Sequence, residues 1–221
     1  MPLCIVAAAG PGMGAAIARL FAQEGYDIAL IARDRHRLGE IARSLEPLGR
    51  RVTTHSADLC ALETVAEAFA EIRDRQGEAE LLIYNGARWH ERPAMALDPM
   101  DFTWDLSLCA TGALVCAQHV YPAMKVAGAG TILFTGGGLA LYPEYGAGVA
   151  SLTAGKAALR GLTFAMAAEL APEGIHVGTV TIAGTVDPAS PTLAPDIIVQ
   201  AFWDLHQEPA GQWSTERVVG A

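Results

Sequence analysis

The chain has 221 residues, 52% of them apolar, and a formal net charge of −9. That length suits one large α/β domain or two small ones, with enough apolar content for a substantial core. The acidic balance, with no basic stripe to offset it, excludes a phosphate-backbone binder, so no nucleic-acid partner is expected.

Other classes fall away on similar grounds. No uninterrupted apolar run reaches the roughly 18–20 residues of a membrane span, so no membrane partner is expected. No basic segment precedes the first apolar run, which argues against a secretory signal. Cys4, Cys60, Cys109 and Cys116 are scattered, without C-x-x-C or His/Cys ligand spacing. No metal site is expected from them. Buried free thiols in a reducing cytoplasm are the simplest reading.

The stretch from Ile5 to Ala18 reads IVAAAGPGMGAAIA. Its apolar start predicts a buried strand. Gly10, Pro11, Gly12 and Gly14 predict a tight turn, with Met13 inside it, and Ala15 to Ala18 open a helix. Glycines let a pyrophosphate approach the backbone, and a helix N-terminus offers free N–H donors. An ordinary turn between strand and helix is the bland alternative.

Asp27 to Ala32 is a second apolar strand. Asp34 then serves as an N-cap, with Leu38, Ile41, Leu45 and Leu48 at helical spacing. Arg51 to Ser56 is a third strand, and Val65, Ala68, Phe69 and Ile72 mark the next helix. Glu80 to Asn85 is a fourth strand. Asp98-Pro99 starts a helix. A long helical stretch from Phe102 to about Val126 follows, broken once. Gly130 to Thr135 is a fifth strand, ended by Gly136 to Gly138. A second long apolar helix covers about Ala147 to Ala171. Ile175 to Ile182 is a sixth strand, closed by Ala183-Gly184. Pro195 to Gln207 is a last helix, and Glu216 to Val219 a short seventh strand.

Strands alternate with helices throughout, and the strands are apolar without clean alternation. Such a pattern predicts a parallel sheet covered on both faces. The expected fold is α/β, a three-layer Rossmann-type doubly wound parallel sheet of about seven strands, as a single domain over residues 1–221. Ligands of such a sheet bind at the carboxyl ends of its strands.

These marks, in this order, make the chain resemble the short-chain dehydrogenase/reductase family over almost its whole length. The resemblance implies that Ala8 stands where the family's first glycine does, and that Gly12 and Gly14 match its last two. Gly10 is then expected to relieve the turn in place of the first. It also implies that Asp58-Leu59 contacts an adenine and that Asn85-Gly86 lies beside a cofactor. Capping by Asp58 and turn stabilisation by Asn85 are the plain alternatives. Gly184, closing the sixth strand, is placed at the cofactor too.

An acid about 20 residues past the glycines would favour NAD, and an arginine there would accommodate the 2′-phosphate of NADP. Arg33 ends the second strand, and a guanidinium pairs well with phosphate. NADP(H) is favoured; NAD(H), bound through Asp34, is the alternative.

The catalytic region departs from the family's pattern. The resemblance places the family's Tyr-x-x-x-Lys on Leu152 to Lys156, so the lysine is present and the tyrosine is not. The family's serine falls on Gly136 or Gly137, and its helix asparagine on Cys109. Lys156 and Lys125 are the only lysines in the chain. Lys156 lies in an apolar helix and is the one catalytic candidate that remains. Tyr142 and Tyr145 are too far along the chain to share its helix turn. Trp89, His90 and Glu91 follow the fourth strand, where they could overhang the site. Trp203, His206 and Trp213 either line a pocket or pack the core.

Two functions follow: a nicotinamide-dependent oxidoreductase of a carbonyl or alcohol, using a non-standard proton route, or a non-catalytic NADP(H)-binding module. The long helices resemble the family's dimerisation helices, which implies a homodimer or homotetramer.

Overall fold

The computed structural model describes residues 1–220. Seven parallel strands form one sheet in the order β3-β2-β1-β4-β5-β6-β7. They are β1 (Leu3–Ala7), β2 (Asp27–Ala32), β3 (Val52–Ser56), β4 (Leu81–Tyr84), β5 (Gly130–Gly137), β6 (Ile175–Ile182) and β7 (Glu216–Val219). The helices are α1 (Met13–Gln23), α2 (Arg35–Leu45), α3 (Leu62–Gln76), α4 (Pro99–Leu106), α5 (Gly112–Ala127), α6 (Ala150–Leu170) and α7 (Pro195–His206). Strand order reverses between β1 and β4, which opens a crevice at their carboxyl ends.

The apolar strands bury both faces because each face has its own helix layer. Phe69 of α3, Val120 of α5 and Leu159 of α6 pack on one side with Leu82 and Phe134. Phe21 of α1, Ile41 of α2 and Phe202 of α7 pack on the other with Ile28 and Leu30. The expected seven-stranded α/β sheet is what forms.

Four local features differ from the sequence reading. β5 runs on to Gly137, because Gly136 and Gly137 keep register with Thr181 and Ile182 of β6. The stretch expected as one broken helix is α4 and α5 joined by a π-helical turn, Ser107–Thr111. The second long helix starts at Ala150, since Pro143–Gly146 forms a separate 3₁₀ turn. The fourth concerns the glycine turn. Gly10 does not take the left-handed conformation there; Ala8 does, at φ +59°. A Cβ makes that region costly by roughly 1–2 kcal/mol.

Candidate functional site

The first part of the site is the turn after β1. Its backbone is tied to the neighbouring strands: Ala9 N donates to Ile31 O at 3.0 Å, and Asn85 N donates to Ala7 O at 2.9 Å. Asn85 Nδ2 also donates to Ala8 O at 3.3 Å. A Cβ added at Gly10 or Gly12 would meet no atom within 4 Å, so both face open space. Gly14 has a different reason. Its added Cβ would lie 2.8 Å from Ala9 Cα, so this glycine lets α1 pack against the turn. Met13 adds no wall to the site. Its side chain is buried with the α1 face of the core, on the sheet-facing stripe of the helix.

A cavity of about 270 Å³ opens beside this turn, lined among others by Gly10, Arg33, Asp34, Asp58 and Leu59. Asp58 also accepts a hydrogen bond from Cys60 N at 3.0 Å, so it shapes its own loop while facing the cavity. Asp34 Oδ1 accepts from His36 N at 3.0 Å and Arg37 N at 3.1 Å, capping α2. Those two bonds hold its carboxyl below the ordinary value, the Arg37 N–H contributing most. Arg33 carries no such duty. Its guanidinium stacks over the Trp104 ring, 5.2 Å from the centroid. The Arg88 guanidinium stacks over the same ring at 4.7 Å.

A second cavity, of about 530 Å³, lies at the carboxyl ends of β5 and β6. Its wall includes Trp89, Gly137, Tyr145, Leu152, Lys156 and Gly184. Lys156 is only 6% exposed. Its Nζ donates to Thr135 O at 2.6 Å and to Gly86 O at 3.5 Å. No carboxylate pairs with it among the described residues. Burial pushes its amine below the ordinary value, with the Cys109 thiol opposing weakly. Gly86 therefore acts through its carbonyl, and it stays glycine because an added Cβ would strike the Tyr84 ring at 2.5 Å.

Some of the residues singled out from the sequence border two cavities, and Gly12, Met13, Gly14, Asn85 and Gly86 line neither. Gly10, Arg33, Asp58 and Leu59 border one; Lys156 and Gly184 border the other. Trp89 does reach the second cavity, with Nε1 donating to Glu91 Oε1 at 2.9 Å. Trp203, His206 and Trp213 do not. Trp203 and His206 pack against Phe21, and Trp213 stacks on His176.

One cluster was missed. Asp105 on α4 is 1% exposed and charged. Arg88 Nε lies 2.6 Å from its Oδ1, and His90 Nδ1 lies 3.0 Å from its Oδ2. Ser151 Oγ donates to Oδ2 at 2.6 Å. Burial alone would raise the carboxyl; the groups from Arg88, Ser151 and His90 outweigh it and hold it low. The serine is bonded to the acid and not to the histidine, so this is no nucleophile–base pair. It is a clamp tying the segment after β4 to α4 and α6. The only trace of it in the sequence is an acid inside an otherwise apolar helical stretch.

The family model for short chain dehydrogenase matches residues 3–194. The chain belongs to the short-chain dehydrogenase family. A 3beta-hydroxysteroid dehydrogenase of Mediterraneibacter gnavus is 25% identical over 197 residues, covering 88% of this chain and 70% of that one. A short-chain dehydrogenase from Rhodopseudomonas palustris has a TM-score of 0.86 at 26% identity, covering 100% of this chain and 98% of the other. L-sorbose reductase from Gluconobacter frateurii, solved with NADPH and L-sorbose, shares the fold. Its TM-score is 0.87 at 24% identity, with coverage of 97% and 93%. No helix among the described residues of the chain is long and apolar enough to cross a membrane.

Proposed function

We propose that the chain is an NADP(H)-dependent oxidoreductase of a carbonyl or alcohol substrate that works without the tyrosine and serine its family normally uses. The observation that carries this reading is the pairing of two cavities at the carboxyl ends of the strands, with Arg33 at the first and buried Lys156 at the second. A nicotinamide nucleotide, when bound, supplies hydride chemistry. The residues fit such a group. Gly10 and Gly12 leave the backbone open to a pyrophosphate, and Asp58 and Leu59 border the space for an adenine. Arg33 is the free cation for a 2′-phosphate, whereas Asp34 is already engaged in capping α2. NADH remains the weaker alternative.

Lys156 holds a ribose hydroxyl in this reading. Leu152 and Gly137 put no hydroxyl on their side of the second cavity. A positioned general acid is worth roughly 10²–10⁴ in rate, or about 3–5 kcal/mol of barrier. The reaction is therefore slow unless another group, such as Tyr145 at the cavity wall, moves the proton. That same gap favours a second reading, a non-catalytic NADP(H)-binding module.

Titration calorimetry with NADPH and NADH, followed by NADPH oxidation across a carbonyl panel, tests both. NADPH binding with turnover above background supports the enzyme. Binding without turnover supports the module, and absence of binding overturns both. A single domain over residues 1–221 and assembly as a homodimer or homotetramer belong to the same proposal. Phe164, exposed on α6 beneath Arg160, supports an interface along that helix; sedimentation measures it.

A further inference from the structure

We propose that the 530 Å³ cavity selects a neutral carbonyl or alcohol built on an apolar ring, and discriminates against polyols and carboxylates. That the occupant is a substrate rests on the oxidoreductase reading; its apolar character rests on the cavity wall alone.

The wall is mostly apolar and aromatic. Trp89 comes from the segment after β4, Leu139, Tyr142 and Tyr145 from the turns between β5 and α6, and Val149 and Leu152 from the start of α6. Trp89 and Tyr145 are 66% and 78% exposed, so their rings are presented at the cavity and not spent on the core. The Tyr142 and Tyr145 rings have centroids 6.3 Å apart and are tilted by 55°. Such faces pack well against a flat or alicyclic ring. Small-molecule sites usually combine a wall of this kind with a few polar groups that orient the ligand.

The polar side of the wall is sparse. Among the described residues, Lys156 is the only charged side chain on it, with no carboxylate, guanidinium or imidazole beside it. Its buried amine already donates to Thr135 O and Gly86 O. Trp89 Nε1 is engaged by Glu91. The hydroxyls of Tyr142, Tyr145 and Thr185 are the remaining protic side-chain groups. A carboxylate would give up its hydration with no free cation to meet it. A polyol would bury more hydroxyls than this wall can partner, and each unpaired one is costly. A single carbonyl or hydroxyl on an apolar ring loses little hydration and gains the burial of the ring.

Four probes test the selection by ligand-observed NMR titration of the wild-type protein, with and without NADPH: acetophenone, cyclohexanone, dihydroxyacetone and pyruvate. Acetophenone and cyclohexanone are expected to bind at least about tenfold tighter than dihydroxyacetone and pyruvate. Trp89→Ala and Tyr145→Ala trim exposed rings, so both variants fold, and each is expected to weaken acetophenone binding about threefold. Equal or tighter binding of dihydroxyacetone or pyruvate, no binding of acetophenone, or unchanged acetophenone affinity in both variants overturns the proposal. NADPH oxidation with the same probes separates it from the reading it extends. Selective acetophenone binding without NADPH oxidation supports the apolar cavity and counts against the oxidoreductase. NADPH oxidation by pyruvate or dihydroxyacetone in preference to acetophenone supports the oxidoreductase and overturns the selection.

Discussion

Ser151 Oγ donates to Asp105 Oδ2 at 2.6 Å, joining the start of α6 to a buried acid on α4. The same acid holds Arg88 and His90 of the segment that brings Trp89 to the second cavity. One carboxylate thus positions parts of three segments around Lys156. Losing a hydrogen bond to a charged group costs about 1.5–3 kcal/mol, so Ser151→Ala is expected to lose about 2 kcal/mol. The Asp105→Asn loss should not add to it, because both act through one network. The carboxyl is held below its ordinary value of 3.8. Its stabilisation is present above that pH and lost as pH falls through the lower folded value. Urea titrations of both variants and the double variant, repeated toward acid, check the coupling and its disappearance.

Ala8 holds a left-handed backbone at φ +59°. Ala8→Gly removes the Cβ clash while adding some freedom to the unfolded chain. A net gain of about 0.5–1 kcal/mol is expected. Calorimetric melting measures it; an unchanged or lower Tm would contradict the strain.

Gly136 and Gly137 are not equivalent sites for an introduced serine. An added Cβ at Gly136 would sit 2.6 Å from Thr181 Oγ1 and 2.7 Å from Thr179 Oγ1. At Gly137 the nearest atom is Lys156 Cγ at 3.3 Å, part of a flexible stem. Gly136→Ser is therefore expected to destabilise by about 1–3 kcal/mol, and Gly137→Ser by clearly less. If the proposed oxidoreductase reading holds, Gly137→Ser with Leu152→Tyr raises carbonyl reduction. Melting curves and NADPH oxidation rates separate the two effects.

Burial lowers the folded Lys156 amine below the ordinary 10.5. Between the folded value and 10.5 the unfolded chain binds the extra proton, so stability rises with pH. Lys156→Met removes that dependence and keeps the volume. The variant should melt higher than wild type at neutral pH, and the gap should narrow toward about pH 10. Nucleotide affinity should fall at the same time, a gain in stability at the expense of function.

Arg33 is held over Trp104 at the rim of the first cavity. Arg33→Ala is expected to weaken NADPH binding about tenfold or more, with little change for NADH. Calorimetry on both nucleotides reads the difference. Equal losses would assign Arg33 a structural role alone.

The alternation of apolar runs, glycine turns and helical spacing determined the layered parallel sheet. Period and punctuation are local properties, so strands and helices were legible to within a few residues. The order of Gly12, Arg33, Asp58, Asn85 and Lys156 along those elements was equally legible, because each sits at a strand end or on a helix of known spacing. Which glycine position was strained was not, since the turn at Ala8 is held by hydrogen bonds to Ile31 of β2 and from Asn85, just after β4. Asp105 went unmarked in the sequence, and only the fold brings Arg88, His90 and Ser151 to it from two other segments. Lys156 showed its position in the chain but not its solvation. Only the packing of β5, the segment after β4 and α6 removed water from its amine, and desolvation is a property of the assembled site.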